Sequence, residues 1–414
     1  MSATDSQHAP SLAEIVREWG RIGCTGFGGP AVHIALLREL CVADRKWIDE
    51  KQFERALAAT NMLPGPASTQ LAIYCAWRLR GRLGALLGGL CFVMPGLILV
   101  IGLSTLFLAK SPPLWVRGAG LGAGAAVPAV AMLAGATIGA PMWRRTRASA
   151  RARSGAYALA GVAAAATLGP GLVLVLLACG AIELTWQSRG GGGATMLGWP
   201  FLRGWMPGGL GSGYRVRMWP PAQMSSPLRI ALLATTGTGG LGALVWTAFK
   251  VGALAFGGGF VIVPLMQTDA VQTYHWMTHA QFLNAVALGQ ITPGPITQTV
   301  AAVGYAAGGL PAALLASLVA YLPSFSFVLL GATGFERLLA SRRVRAFLAG
   351  AAPAAVGAII GSAIPLTAAI GQSWQYAVLA AAVIVLLVLR RGVVTTLLAA
   401  GLAGVVAVLL GAPA

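Results

Sequence analysis

Two pairs of glycine and proline motifs are the residues in this chain best suited to act on a ligand. GFGGPAVHIALL at 26–37 is followed by NMLPGPASTQ at 61–70, and AFGGGFVIVPLM at 255–266 is followed by QITPGPITQT at 290–299. Proline lacks a backbone N–H and glycine weakens a helix, so each Pro-Gly-Pro predicts a broken helix with exposed backbone groups. The N-terminus of a half-helix carries free N–H donors and about half a positive charge, which suits an anion. A packing kink is the alternative for one motif, but two matched breaks favour a binding site.

The two passages superimpose without a gap. The constant shift that places Phe27 on Phe256 also places Trp47 on Trp276, and the first Pro-Gly-Pro on the second. We predict a binding site formed by the motifs and their polar flanks, which could donate hydrogen bonds to an oxyanion or could join helices. Its residues are Phe27, Gly28, Gly29, Asn61, Pro64, Gly65, Pro66, Ser68 and Gln70 with their counterparts Phe256, Gly257, Gly258, Gly259, Gln290, Pro293, Gly294, Pro295, Thr297 and Gln298; Thr69 and Thr299 flank the same breaks.

Two cations precede the motifs at matched positions. Arg21 and Lys250 lie at the same short distance before the motif phenylalanines Phe27 and Phe256. A cation at the centre of a membrane helix costs at least roughly 2.5–3.5 kcal/mol, so its presence in both passages indicates a use. We predict that both attract an anion; the alternative is that the side chains reach the membrane surface, which fits Arg21 better than Lys250.

Few groups in these passages could carry protons. His33 could do so near neutral pH, and Glu39 lies shortly after it. Asp269 could bind protons or pair with Lys250. For His33 a structural role is an equal alternative, and for Asp269 the equal alternative is an acid in a solvated loop. His275 and His279 have the i, i+4 spacing of metal ligands in a helix, but no third ligand has a convincing spacing, so we predict no metal and no cofactor.

The composition indicates the elements that position these residues. The chain has 414 residues, of which 57% are hydrophobic and 10% are charged, against about 25% charged in soluble domains. Apolar stretches at 83–109, 114–142, 157–186, 310–335, 347–371, 376–389 and 393–411 predict an all-α polytopic membrane protein with about 10 to 12 membrane segments. The N-terminal stretch before Arg21 is polar and contains acids, unlike a cleaved signal peptide. The stretch 157–186 contains Gly169-Pro170-Gly171, so it could be one span or two short ones.

The net charge of +18 does not indicate nucleic-acid binding. The arginines cluster between apolar spans, at 78–82, 144–153, 342–345 and 390–391, as in cytoplasmic loops. We therefore predict a bilayer as the partner surface and no nucleic-acid role. The five cysteines share no metal-type spacing and are expected to be packing residues.

The motifs divide the chain into four parts. We predict a polar tail at 1–13, a first repeat at 14–186, a linker rich in Gly, Arg and Pro at 187–242, and a second repeat at 243–414. The loop 78–82 has three arginines and its counterpart 308–311 has none, whereas one span later 110–117 has two cations and 336–345 has four arginines. This reversed bias predicts inverted repeats. Inversion needs an odd number of crossings between the repeats and places the linker arginines outside, which long loops tolerate.

The motifs resemble those of the chromate ion transporter (CHR) family. The resemblance is carried by FGGPAVHIALLRE, RKWIDEKQF, LPGPASTQ and the FGGG, WMTHAQF and TPGP of the second half, over roughly 14–190 and 244–410, as in a long-chain, two-domain member. It implies export of chromate from the cytoplasm and chromate resistance, with sulfate as a competing tetrahedral dianion. Asn61 departs from the glutamine expected there, and the long linker is also unusual.

Several classes remain as alternatives to chromate export. No GxxxxGK[ST] motif appears, so we expect a secondary transporter in the inner (plasma) membrane, driven by membrane potential or a proton gradient. The runner-up is import or exchange of sulfate or another tetrahedral oxyanion. An enzyme is not expected, because neither HExxH nor clustered carboxylates occur in the spans. The sequence leaves the oligomeric state, including a homodimer, open.

Overall fold

The computed structural model describes residues 10–62, 65–168, 171–189, 239–255, 260–331 and 341–413. Over these ranges the protein is helical, which confirms the predicted all-α class. The first helices are α1 (Leu12–Thr25), α2 (Pro30–Arg38) with a π-helix (Glu39–Asp44), α3 (Glu50–Met62), α4 (Ala67–Phe107), α5 (Leu114–Arg145), α6 (Ala148–Thr167) and α7 (Leu172–Arg189). They are followed by α8 (Leu241–Leu254), α9 (Ile262–Gln267) with a π-helix (Thr268–Thr273), α10 (His279–Ile291), a 3₁₀ turn (Ile296–Gln298), α11 (Thr299–Gly331), α12 (Arg342–Gly361), α13 (Ala363–Ala368), α14 (Ser373–Val383) with a π-helix (Ile384–Val388), and α15 (Val393–Leu409).

The first elements of each set correspond in length and position. The constant shift that aligns the motifs also superimposes both ends of α1 on α8, of the first π-helix on the second, and of α3 on α10. Local capping fixes the last pair: Thr278 and Gln281 form a reciprocal capping box at α10, and Asp49 Oδ1 accepts from Gln52 N at 2.9 Å at α3. These two helices therefore start at equivalent points of the motif alignment.

The chain reverses sharply inside α4 and α11. Arg80 and Gly81 have φ/ψ of −139°/26° and 59°/−148°, and Gly308 and Gly309 have −167°/30° and 69°/−158°. The expected loops at 78–82 and 308–311 are therefore tight reversals. The spacing between the two reversals is one residue shorter than the shift that aligns the motifs. The stretch from Pro-Gly-Pro to the reversal is therefore one residue shorter in the second half than in the first. The uninterrupted match that holds up to Pro-Gly-Pro ends there.

Four helical segments are long and apolar enough to cross a membrane by length and composition. Ala67–Phe107 and Ile296–Leu330 contain the reversals, whereas Leu114–Arg145 and Arg342–Ala368 do not, and four shorter apolar helices accompany them in the described ranges. Their outer faces carry leucines such as Leu174 and Leu318, at 70% and 68% exposure, that suit lipid rather than water. The stretch 157–186 forms two helices, α6 and α7, and so does 376–411. The number of membrane crossings stays a prediction.

Small residues let the helices approach closely. An added Cβ at Gly23 of α1 would lie 2.7 Å from the Phe92 carbonyl oxygen of α4. The same relation holds between Gly252 of α8 and the Ala320 carbonyl of α11. Helices α4 and α11 also pack against each other, and α5 packs against α10, α12 and α15. One apolar core therefore joins the two sets of helices.

The short helices α3 and α10 bring the breaks to the middle of the structure. Each has 13 residues, or about 20 Å at 1.5 Å per residue, well short of a bilayer core. Helix α10 begins in a cavity of about 580 Å³ shared with Lys110 and Gln372. It ends near Pro293, which lies against Gly96 in the middle of α4.

Candidate functional site

The first glycine motif contacts the second Pro-Gly-Pro. The Gly26 carbonyl accepts a hydrogen bond from Gly294 N at 3.1 Å and a second from His33 Nε2 at 2.8 Å. One oxygen therefore joins the end of α1, the side chain of α2 and the break after α10. This contact between the two halves of the chain brings the two sets of predicted site residues together.

His33 is fully buried and fixed on both sides of its ring. Because Nε2 faces a carbonyl oxygen, it must carry a proton; Nδ1 then accepts from the Ser68 hydroxyl at 3.3 Å. The ring also packs edge-on against Phe92, with 5.0 Å between centroids. Through these contacts His33 links the glycine motif to the helix after the first Pro-Gly-Pro.

The second break packs against α4. Gln298 Nε2 donates to the Val93 carbonyl at 2.9 Å. Gly96 lies so close that an added Cβ would overlap the Pro293 carbonyl oxygen and the Gln298 side chain. A glycine at position 96 is therefore required for this approach.

The first break packs against α11 in the reciprocal manner. An added Cβ at Gly65 would lie 3.2 Å from Ser324 Oγ and would overlap the Gln70 side chain. Gly65 and Gly294 have φ of 121° and 102°, values that favour glycine. Ser324 is related to Gly96 by the same shorter shift that relates the two reversals, so each break meets the equivalent turn of the other long helix.

Several polar groups at this crossing are buried without a hydrogen-bond partner among the described residues. They are the hydroxyls of Thr69, Thr297, Tyr321 and Ser324, together with Gln298 Oε1. Buried polar groups in proteins are nearly always paired, so such a group indicates a missing partner such as an ion. Gln290 Nε2, at the end of α10, is also unpaired and buried. We call Thr69, Thr297, Gln298, Tyr321 and Ser324 the crossing cluster.

Sequence reasoning included the threonines and Gln298 but not Gly96, Tyr321 and Ser324. These three lie many turns beyond a Pro-Gly-Pro, in ordinary apolar helix, and nothing in the local pattern sets them apart. The Thr-Gln pair after each Pro-Gly-Pro, at 69–70 and 297–298, was the available signal.

The two predicted cations are ion-paired and do not join the crossing cluster. Lys250 Nζ lies 2.6 Å from Asp269 Oδ2, with Lys250 only 13% exposed, and Thr247 donates to the same oxygen at 2.7 Å. Arg21 is 61% exposed and lies 3.0 Å from the buried Glu18. Glu18 also forms ion pairs with Arg17 and Arg45. The expected pairing of Lys250 with Asp269 is present.

The carboxylates occupy different elements in the two ion pairs. Glu18 is on α1, and its counterpart on α8 is Thr247. Asp269 is on the second π-helix, and its counterpart on the first is Leu40. In both cases a buried acid lies near the cation of the first helix, but the two acids stand at positions that the motif shift does not align.

Other predicted residues lie apart from the crossing or outside the described ranges. Phe27, Gly28 and Glu39 are exposed, and Gly29 precedes α2. Asn61 lies in the last turn of α3. Pro66, Pro293 and Pro295 are buried at the breaks. Pro64, Phe256, Gly257, Gly258 and Gly259 fall outside the described residues.

His275 and His279 do not share a helical face. His275 precedes the N-cap Thr278, has φ of 52°, and its Nδ1 lies 2.8 Å from the Val271 carbonyl oxygen. His279 begins α10. Among the described residues no group of three His, Cys, Asp or Glu could hold a metal.

Apolar helices and two broken segments that meet at a buried polar cluster define a helical membrane protein of the transporter class. The chain belongs to the chromate transporter family, whose profile matches residues 13–184 and 242–405. It is a long member in which the family profile occurs as two segments. The family is one of transporters and not of enzymes.

Curated relatives match most of the chain. The chromate transport protein of Cupriavidus metallidurans is 31% identical over 372 residues, covering 88% of this chain and 86% of the relative. The probable chromate transport protein of Synechococcus elongatus is 27% identical, covering 86% and 85%. The chromate transport protein of Pseudomonas aeruginosa is 29% identical, covering 86% and 81%. No solved structure matches this chain.

Proposed function

We propose that this chain is a secondary transporter that exports chromate across the inner (plasma) membrane and confers chromate resistance. The crossing cluster carries the proposal, because its unpaired hydroxyls lie where two broken helices meet and suit the oxygens of a tetrahedral anion. The named relatives are chromate transport proteins and extend over nearly the whole chain. Chromate is therefore the substrate that chemistry and relationship support together.

Export agrees with the electrical driving force. An inside-negative potential favours outward movement of an anion by about 2.3 kcal/mol per charge per 100 mV. A proton gradient could add to this through Asp269 or His33, both buried, or through Glu39 at the surface. His33 would need to break its bond to Gly26 or Ser68 to exchange a proton.

The two profile segments are, in this proposal, inverted repeats with domain limits near 14–186 and 243–414. Equal spacing of the short helices, equivalent reversals and reciprocal contacts at the breaks support a pseudo-twofold relation. The opposite charge bias of equivalent loops supports inversion. Each Pro-Gly-Pro hairpin would then enter the bilayer from its own side.

Cellular chromate accumulation tests the transport proposal. Cells that express the chain should retain less chromate than cells with an empty vector, and cells expressing Ser324→Ala should retain more than wild-type expressers. Ser317→Ala is the matched control, because Ser317 is also buried on α11 but its hydroxyl already donates to Ala313 at 2.8 Å. Equal accumulation with and without the wild-type chain would refute chromate export.

Transport of sulfate or another tetrahedral oxyanion, by import or exchange, is the second candidate. The hydroxyls of the crossing cluster could donate hydrogen bonds to any tetrahedral oxyanion, and this observation supports the second candidate. Radiolabelled sulfate and chromate fluxes in oriented vesicles separate the two. Sulfate flux faster than chromate flux, or chromate flux only inward, would favour this alternative.

A further inference from the structure

Gln298 presents a fixed hydrogen-bond acceptor to the crossing cluster. Its Nε2 donates to the Val93 carbonyl at 2.9 Å, and since a carbonyl can only accept, the amide cannot be turned the other way. Oε1 therefore points away from that bond, is buried and has no partner among the described residues. It lies beside the close approach of Gly96. An acceptor held in this way requires a donor.

The neighbouring groups are hydroxyls that can donate or accept. The Tyr321 hydroxyl lies within hydrogen-bonding range of the Thr297 and Gln298 side chains. Ser324, one turn further on the same face of α11, reaches the first break at Gly65. The cluster thus offers several donors and one group that can only accept.

Resting on the proposed function, we infer that the site binds a tetrahedral oxyanion in its singly protonated form. The hydroxyls donate to the deprotonated oxygens, and Gln298 Oε1 accepts from the O–H of the ligand. A fully deprotonated oxyanion would place an oxygen acceptor against Oε1, a buried mismatch that weakens binding because neither oxygen can donate. Such a site binds the singly protonated form of an oxyanion more tightly than the fully deprotonated form.

This requirement separates chromate from sulfate. Chromate takes up a proton near neutral pH, whereas sulfate does so only in strong acid. Fully deprotonated chromate and sulfate are both tetrahedral dianions. A site that recognised only size and charge would therefore distinguish them poorly. The fixed acceptor provides the difference.

The charges around the cluster agree with a ligand of low charge. Tyr321 on α11 belongs to the cluster, and His33 on α2 shares the Gly26 carbonyl with Gly294 of the second break. Lys250 and Asp269 on the adjacent elements neutralise each other.

Binding to the purified full-length chain in detergent tests the inference. Calorimetric titration with chromate and with sulfate at pH 6, 7 and 8 should show chromate affinity falling by about tenfold per pH unit above the ionisation of chromate itself. Sulfate should bind at least about tenfold more weakly than chromate at pH 6. Chromate affinity that does not change with pH, or sulfate affinity equal to that of chromate, would overturn the inference.

A variant locates the effect on Gln298. Gln298→Met removes the acceptor and should flatten the pH dependence and reduce the preference over sulfate. Gln375→Met is the matched control: Gln375 is equally buried and donates to the Leu121 carbonyl at 2.8 Å, but its Oε1 already accepts from Gln372 N. A wild-type pH dependence in Gln298→Met would refute the assignment. If the wild-type chain binds no chromate at any pH, the proposed function itself fails; chromate binding without pH dependence refutes only the protonated form.

Discussion

Lys250 and Arg21 occupy equivalent positions but differ in their surroundings. Lys250 is buried against one carboxylate, Asp269, whereas Arg21 is exposed and shares Glu18 with two other arginines. Burial determines what removal of each charge costs. An uncompensated buried charge is expensive, and an exposed pair contributes little.

We predict that Lys250→Met lowers the free energy of unfolding by about 3–5 kcal/mol, because Asp269 is left buried and unpaired. Lys250→Met combined with Asp269→Leu should recover most of this loss. Arg21→Gln should cost no more than about 1 kcal/mol. Denaturant unfolding of the purified protein measures all three, and a larger loss for Arg21→Gln than for Lys250→Met would contradict the argument.

A methyl group at position 96 tests the close approach at the crossing. Gly96→Ala should abolish chromate transport and lower stability by about 1–3 kcal/mol, since the second break must move away from α4. Gly102→Ala on the same helix meets nothing within 4 Å and should be neutral or slightly stabilising. Transport assays and thermal unfolding distinguish them; a fully active Gly96→Ala variant would show that the crossing tolerates separation.

The sequence predicted the presence of matched cations but not all of their partners. A fixed shift compares each residue with its own counterpart, so it cannot reveal that Glu18 and Asp269, at inequivalent positions, fill the same role. The roles of Tyr321 and Ser324 could not be predicted for a related reason. They become part of the site only because α11 packs against the breaks.

At the scale of elements, the Pro-Gly-Pro breaks expose backbone and side-chain groups at the cost of helix stability. Replacing Pro293-Gly294-Pro295 by three alanines should favour a continuous helix, because proline is roughly 3 kcal/mol and glycine about 1 kcal/mol worse than alanine in a helix interior. The variant should fold but lose the stabilisation that chromate gives the wild type.

Thermal unfolding with and without chromate measures this prediction. The same replacement at 64–66 is the companion variant, and it should also lose chromate protection because each break contacts the other long helix. Undiminished protection of both variants would identify the breaks as packing kinks.

Capping made the starts of α3 and α10 predictable, because Asp49 and Thr278 fix them locally. The division of 157–186 into two helices was left open, since an apolar run does not reveal where it turns. The one-residue difference in length after Pro-Gly-Pro was not predicted, because the motifs up to and including Pro-Gly-Pro align without it. Thr297 therefore aligns by the motif shift with Ser68, yet by its buried, unpaired hydroxyl it corresponds to Thr69.

At the scale of the whole molecule, the proposed inversion predicts that the two reversals face opposite sides of the membrane. Arg82 and Gly308 are exposed beside them, and the φ of −167° at Gly308 accepts a side chain. Cysteines introduced singly at these positions, in a background that lacks the exposed Cys24, should react with an impermeant reagent from opposite sides. Reaction of both from one side would exclude inversion.

The displaced acid of the two ion pairs constrains how the halves diverged, if both descend from one ancestral unit. In such an ancestor, a change from an acid on the first helix to an acid on the π-helix takes two substitutions. The intermediate sequence has either both acids or neither. Where the cation is as buried as Lys250, the acid-free intermediate leaves it without a partner and costs about 3–5 kcal/mol, a large share of typical stability. The two-acid intermediate can share its charge among several cations, as Glu18 does with Arg17, Arg21 and Arg45. The two-acid route therefore costs less, and chimeras that join the first helix of one half to the π-helix of the other will carry two of these acids or none.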